Sequence, residues 1–330
     1  MHAPHDLEDA IVFGDHAVSK LKRIIIPISS FKIPEKIGVS LHSLYFPSPL
    51  IFSSFKSHVD TLEYWLRTGM GGGCLKTITP EKRDGNKRPR ICSFIQDDTE
   101  VLLNALGLPN PGIDTFLEEA SFKRLFSFNR PIGFSIAGET LEDYQSLALR
   151  ICDYMAAQSI ENFYLELNVS CPNVNHNNPT QDLRAFFSML STIRKKSEIV
   201  LGLKVSPEES NHQLIQYSEM MEALGSGFLS IGNTKYQTKE QLGLSPNVIC
   251  QEGGGLSGYS LFTRTLEMVQ VLSKYPVPLI ATGGVSDFHH ARALLESGAS
   301  LVGMATALIQ NPYLVPKINT KLAKLKKVHV

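Results

Sequence analysis

The sequence has no surplus of either charge: 32 Lys and Arg stand against 32 Asp and Glu in 330 residues, for a formal net charge of zero. A chain that grips nucleic acid by its phosphates normally carries a basic excess, so that partner is not expected. Cysteine is scarce as well. Cys74, Cys92, Cys152, Cys171 and Cys250 make an odd number with no C-x-x-C pair, which excludes a disulfide framework and reads as reduced thiols in a cytoplasmic protein. No metal site is expected. No apolar run approaches the roughly 18 residues that span a bilayer, and the opening MHAPHDLEDA lacks the basic and apolar regions of a signal peptide. Low-complexity tracts, sequence repeats and an interdomain linker are missing too. What remains is 43% hydrophobic and 19% charged, enough to fill a large core, and an α/β barrel can occupy such a length as one unit.

Eight short apolar runs recur, at 49–54, 73–77, 131–136, 163–168, 199–205, 227–231, 277–282 and 300–304. Helical periodicity fills the gaps, as in Leu141, Tyr144, Ala148, Ile151 and Met155, or Leu214, Tyr217, Met221 and Leu224. Ser206 followed by Pro207 reads as a helix start. Parallel strands covered on both faces are apolar throughout, so the pattern predicts an α/β fold, a (β/α)8 TIM barrel. A doubly wound open sheet is the alternative. Residues 1–45 form an N-terminal extension, with a short strand or hairpin over Gly38–Leu44 closing the barrel bottom, and residues 46–330 form the barrel. Residues 80–130 are a long insertion between strands 2 and 3, loop-rich, with one helix near 113–125. The lysines at 317, 321, 324, 326 and 327 are expected on a solvated helix face.

In such a barrel the chemistry sits where the strands end, and these ends are polar: Ser53, Lys76, Ser135, Asn168, Lys204 and Asn233. A lysine closing a buried strand must meet an anion or an acceptor. Lys76 and Lys204 therefore point to an electron-rich ligand over the mouth, with structural salt bridges as the alternative. Two glycine clusters follow the later strands, Gly253-Gly254-Gly255-Leu256-Ser257-Gly258 and Thr282-Gly283-Gly284-Val285, and Thr306 follows strand 8. Glycine lets a backbone approach a phosphate closely, so these positions fit a phosphate-bearing ligand, although each cluster alone could be a tight turn. The sharpest motif is Asn168-Val169-Ser170-Cys171-Pro172-Asn173. Its carboxamides suit a ring bearing amide N–H and C=O groups, and Cys171 could be a base, a nucleophile or plain packing.

These motifs resemble the dihydroorotate dehydrogenases, flavin enzymes of pyrimidine synthesis, over about residues 37–312. The stretch Lys76 to Asn86 with Arg88, Pro89 and Arg90 is similar to the segment after the family's second strand. Asn104-Ala105-Leu106-Gly107-Leu108-Pro109-Asn110 resembles its substrate loop, and Asn168 to Asn173 its catalytic loop. Cysteine at 171 and lysine at 76 are similar to the class 1 enzymes; class 2 enzymes usually carry serine, and residues 1–36 do not resemble their membrane-binding helices.

The resemblance implies FMN across the barrel mouth. Its phosphate would rest on Gly254, Gly255, Gly258, Gly283, Gly284, Ala305 and Thr306, while Ser53, Ser54, Lys76, Thr77, Ser135, Asn168 and Lys204 meet the rest of the cofactor. Orotate would be held by Asn104, Asn168, Asn173, Asn233 and Thr234, with Leu106, Gly107 and Leu108 beside it and Lys76 near both ligands. Cys171 would take the C5 proton of dihydroorotate while hydride leaves C6 for flavin N5, under a lid formed by residues 172–180. One departure stands out: the family's Ala-x-Gly after strand 1 is Ser53-Ser54-Phe55 here, and a ring pointing at the cofactor would fill a place usually open. Two other readings are a reductase of another cyclic amide or enone, similar to dihydropyrimidine dehydrogenase, and a barrel without turnover. Fumarate, a quinone, or NAD through a partner are the candidate acceptors, and the class 1 resemblance suggests a homodimer.

Overall fold

A strand covered on both faces is a near-continuous apolar run, and a helix lying on it needs one apolar stripe. The computed structural model, which describes residues 6–169, 180, 182–311 and 313–325, shows the two patterns alternating around a closed barrel. Ahead of the barrel come helix α1 (Leu7–Ser29) and strands β1 (Val39–Leu41) and β2 (Leu44–Phe46). The first staves are β3 (Leu50–Phe52) and β4 (Gly72–Ile78), with α2 (Val59–Arg67) between them. An insertion carries β5 (Ile91–Gln96), β6 (Thr99–Asn104) and α3 (Ile113–Glu119). Staves β7 (Ile132–Ile136), β8 (Phe163–Asn168), β9 (Val200–Val205) and β10 (Gly227–Ile231) follow, separated by α4 (Leu141–Ala157), α5 (Leu183–Ser197) and α6 (Asn211–Ala223). After β11 (Lys235–Thr238), β12 (Gly253–Ser257) and α7 (Phe262–Leu272), the chain closes with staves β13 (Leu279–Thr282) and β14 (Leu301–Met304). Helix α8 (Phe288–Glu296) lies between those two, and α9 (Thr306–Gln310) and α10 (Leu314–Leu322) come last.

The staves run in the order β3-β4-β7-β8-β9-β10-β13-β14 and back to β3, every pair parallel. The eight apolar runs are these eight strands, so the open-sheet alternative falls. Helix α4 shows how the sequence builds the outer layer. Thr140 and Asp143 close a capping box at its start, and Tyr144, Leu147, Ala148, Ile151 and Met155 form its buried stripe. The start expected at Ser206 lies four residues too early. Ser206 accepts from the Glu208 amide in a turn, and Ser210 caps α6 by accepting from Gln213 N at 3.2 Å, because it is the capping residue adjacent to the periodic run.

Side chains inside the barrel sort by height. At the bottom, Ile51, Tyr164, Val200, Phe228, Ile280 and Leu301 pack on Leu41, Leu44 and Phe46 of the β1–β2 hairpin. Gly133 and Gly202 make room for that layer, since a Cβ on either would strike the ring of Tyr164 or of Phe228 on the next stave. Above it the interior turns polar.

The insertion differs from the loop-rich expectation. Residues 91–104 form a hairpin that turns on Asp97 and Asp98, both left-handed at φ 47° and 57°, as a two-residue hairpin turn requires. The expected helix over 113–125 is α3 alone, broken where Ala120 turns left-handed at φ 44° and a 3-10 segment begins. The first glycine cluster is also not a loop. It is β12, which pairs antiparallel with β6 and β11 to complete a four-stranded sheet over the barrel mouth. At the far end of the chain, Lys317, Lys321 and Lys324 are exposed on and just after α10.

Candidate active site

The C-terminal ends of the staves open into a cavity of about 600 Å³. Its walls bring together most of the residues singled out in the sequence. From the stave ends come Ser53, Ser54, Lys76, Thr77, Asn168 and Lys204, and from the later loops Asn233, Thr234, Gly258, Gly283, Gly284, Ala305 and Thr306. The insertion contributes Asn104, Leu106 and Leu108. Four expected residues stand back from it. Ser135 is fully buried and bonds Thr77 Oγ1 at 3.0 Å, so it braces the wall from behind. Gly254 and Gly255 serve sheet packing: a Cβ at 254 would lie 2.5 Å from Asn104 O, and one at 255 would strike the Thr234 side chain. Gly107 turns left-handed at φ 72° and packs on Asn86. Cys171, Asn173 and the expected lid over 172–179 lie outside the described residues.

Asn168 occupies the top of β8, opposite Lys204 on β9. Its amide donates to Thr77 Oγ1 at 3.0 Å, and the Tyr144 hydroxyl donates to its backbone carbonyl at 3.0 Å. Among the described residues Asn168 Oδ1 is buried with no partner, an acceptor whose desolvation calls for a donor from a ligand. Lys204 Nζ donates to Ser54 Oγ at 3.0 Å, and Ser54 donates to Glu166 Oε1 at 2.8 Å. Glu166 escaped the sequence reading. The signal was a single carboxylate inside the run FYLELN, at the same strand parity as Asn168, which places it in the barrel interior one layer lower. Below it, burial and the Glu166 charge push the Cys74 thiol well up, so Cys74 stays a neutral packing group.

The Lys76 backbone N–H donates to Lys56 O at 3.1 Å, but its Nζ has no hydrogen bond or ion pair among the described residues. Burial pushes its ammonium down to about 8, Arg90 and Lys56 push in the same direction, and Glu8 opposes them. Around residues 104–110, Asn104 Nδ2 donates to Gly255 O at 3.1 Å, and Arg90 Nη1 braces the neighbouring turn through Asp84 O at 2.8 Å and Asn86 O at 3.0 Å. Asn233 Oδ1 accepts from Thr234 N at 2.8 Å. At the opposite end of the cavity, Gly283 and Gly284 take φ 129° and 77°, and a Cβ at 284 would strike the backbone N of Phe262 at the start of α7. Thr306 Oγ1 bonds Ser257 Oγ at 3.1 Å beside them. This bare backbone lies beside the start of α7, where a ligand anion could approach backbone N–H groups closely.

Helix α1 was not anticipated at the mouth, yet Glu8, Ile11, Val12 and Asp15 line the cavity. Four carboxylates hold it there. Arg90 binds Glu8 twice, Arg88 binds Asp6 and Asp9, and Lys56 meets Asp15 at 2.6 Å. Phe55, the departure after strand 1, stands in the cavity wall with its ring stacked on Trp65 at 5.4 Å and 25°. Among the described residues no group of three or more His, Cys, Asp or Glu could hold a metal ion, and no helix is long and apolar enough to cross a membrane.

Residues 37–325 match the family model for dihydroorotate dehydrogenase. Curated relatives are called dihydroorotate dehydrogenase B (NAD(+)), catalytic subunit. One from Listeria innocua is 30% identical over 88% of this chain and 93% of its own length, and one from Enterococcus faecalis is 29% identical over 87% and 90%. The solved DHODH of Eimeria tenella in complex with ferulenol shares the fold with a TM-score of 0.80 at 22% identity, covering 97% of this chain and 92% of that one.

Proposed function

The chain belongs to the dihydroorotate dehydrogenase family, and from that premise we propose that it oxidises dihydroorotate to orotate in pyrimidine biosynthesis, with FMN as its flavin. The observation that carries the reading is the meeting, in one cavity, of Lys76, Asn104, Asn168, Lys204 and Asn233 with the Gly283-Gly284 cradle. FMN bound there would supply an acceptor for the hydride leaving C6 of dihydroorotate.

The chain's own residues divide the remaining work. Gly258, Gly283, Gly284, Ala305 and Thr306 hold the phosphate, and Ser53, Ser54, Thr77, Asn168 and Lys204 hold the ring system, with Ser135 acting through Thr77. Gly254 and Gly255 are spacers in the sheet above. Asn104, Asn168, Asn173 and Asn233, with Thr234 and the backbone of residues 106–108, match the alternating N–H and C=O groups of the substrate edge. The unpartnered Asn168 Oδ1 supplies one acceptor. Lys76 offers a charge to the substrate carboxylate, and Cys171 takes the C5 proton as general base. Removal of water around Cys171 when residues 172–180 close would favour that transfer. The relatives' names carry NAD(+) and the word subunit, which favours NAD+ reached through a partner over fumarate or a quinone. A cytoplasmic homodimer completes the proposal. The test is turnover by purified protein with an artificial electron acceptor: dihydroorotate should be oxidised and dihydrouracil ignored, and a preference for dihydrouracil would overturn the assignment.

A further inference from the structure

We propose that Glu166 is a positioning residue for Lys204, acting through Ser54, and that this chain sets how strongly the protein favours reduced over oxidised flavin. The inference rests on the reading that Lys204 faces FMN.

Glu166 is buried at 4% exposure, and a carboxylate there is costly without partners. No Lys, Arg or His among the described residues comes within ion-pair distance of it. Its recorded partners are Ser54 Oγ at 2.8 Å and Cys74 Sγ at 3.7 Å. The direction of the bonds follows from the donors available. An ammonium can only donate, so Ser54 must accept from Lys204, and its single proton is left for Glu166. Cys74 donates to the same Glu166 oxygen, so that oxygen accepts twice. Glu166 therefore keeps the Ser54 lone pairs turned toward Lys204 Nζ and opposes its charge from one layer below. On the neighbouring strands Gly202 of β9 and Ser135 of β7 lie in register with Glu166, and neither gives it a charged partner.

If Glu166 merely filled the barrel, Glu166→Gln would change nothing, because the amide oxygen still accepts from Ser54 in the same shape. If Glu166 restrains Lys204, removing its charge leaves the ammonium uncompensated toward the flavin. Glu166→Gln should then raise the preference for reduced over oxidised FMN about tenfold, a shift of about 30 mV to more positive midpoint potential for two electrons. The experiment is dye-equilibrated reduction of the FMN-loaded protein, with melting temperature as the check on fold. In a Lys204→Gln background the same substitution should produce no further shift. An unchanged potential in folded Glu166→Gln, or a shift that persists without Lys204, overturns the inference. Should Glu166→Gln not fold, Ser54→Ala decides, because it releases Lys204 from its tether beside the carboxylate. It should move the potential the same way, and no movement overturns the inference. A wild-type protein that binds no flavin defeats the proposed function first and this inference with it, whereas a working flavoprotein with an indifferent Glu166→Gln defeats the inference alone.

Discussion

The carboxylate of Glu8 holds the Arg90 guanidinium along one edge, Oε1 2.7 Å from Nη2 and Oε2 2.9 Å from Nε. This bidentate pair ties α1 to the start of β5, and Arg90 in turn braces the turn at Asp84 and Asn86.

Both members of the pair act on Lys76. Burial is the largest cause of its depression to about 8, Arg90 adds to it, and Glu8 opposes it. Lys76 is charged below that pH and neutral above it, so affinity for orotate should fall as pH rises through about 8. Glu8→Gln removes the opposing influence, and the fall should begin at lower pH. Calorimetric titration with orotate from about pH 6 to about pH 10 reads both curves. An affinity independent of pH in this window would remove Lys76 from the carboxylate site.

Asn168 presents a buried acceptor with no partner. Asn168→Ala should weaken orotate binding by about 5 to 150-fold, corresponding to about 1–3 kcal/mol for a hydrogen bond in a buried site. Equal affinity in wild type and variant would show that the orphan oxygen faces no ligand.

The ring of Phe55 is held by Trp65. Phe55→Ala should therefore cost stability, with about 0.5–1.5 kcal/mol from the stacked pair beyond lost burial, while FMN affinity changes by less than about threefold. Denaturant unfolding and flavin titration measure the two. A large loss of flavin affinity at unchanged stability would place the ring against the cofactor instead.

The barrel was legible because its staves are short, largely apolar runs, as in Ile132–Ile136 and Gly227–Ile231, where one serine interrupts each, and few other folds need eight such runs. The stave-end residues followed from the same reasoning. The β5–β6 hairpin was harder to see, since Asp97-Asp98 resembles a loop signal until both residues are known to be left-handed. Gly254 and Gly255 misled because glycine is required equally where a phosphate approaches and where two strands and a side chain crowd together. Glu166 and Glu8 were silent for a different reason: their partners lie 112 and 82 residues away, and nothing local marks such contacts.

Cys171→Ala should retain FMN and bind orotate, yet reduce flavin about 10² to 10⁴-fold more slowly, the usual contribution of a general base. In the wild type the rate should rise with pH through the thiol titration, near about 8.5 for a free cysteine. Cys171→Ser should fall between, with its rise displaced to higher pH. Rapid-mixing traces of the three proteins at several pH values compare them. Reduction of the Ala variant at the wild-type rate would remove Cys171 from proton transfer.

One anaerobic mixing experiment decides whether this barrel passes the reducing equivalents of dihydroorotate to a bound flavin. Purified FMN-loaded protein mixed with dihydroorotate, with no other acceptor present, should lose its oxidised flavin absorbance in a single turnover and release one orotate per flavin. A flavin that stays oxidised under these conditions, in folded protein that a chemical reductant still bleaches, would contradict the account.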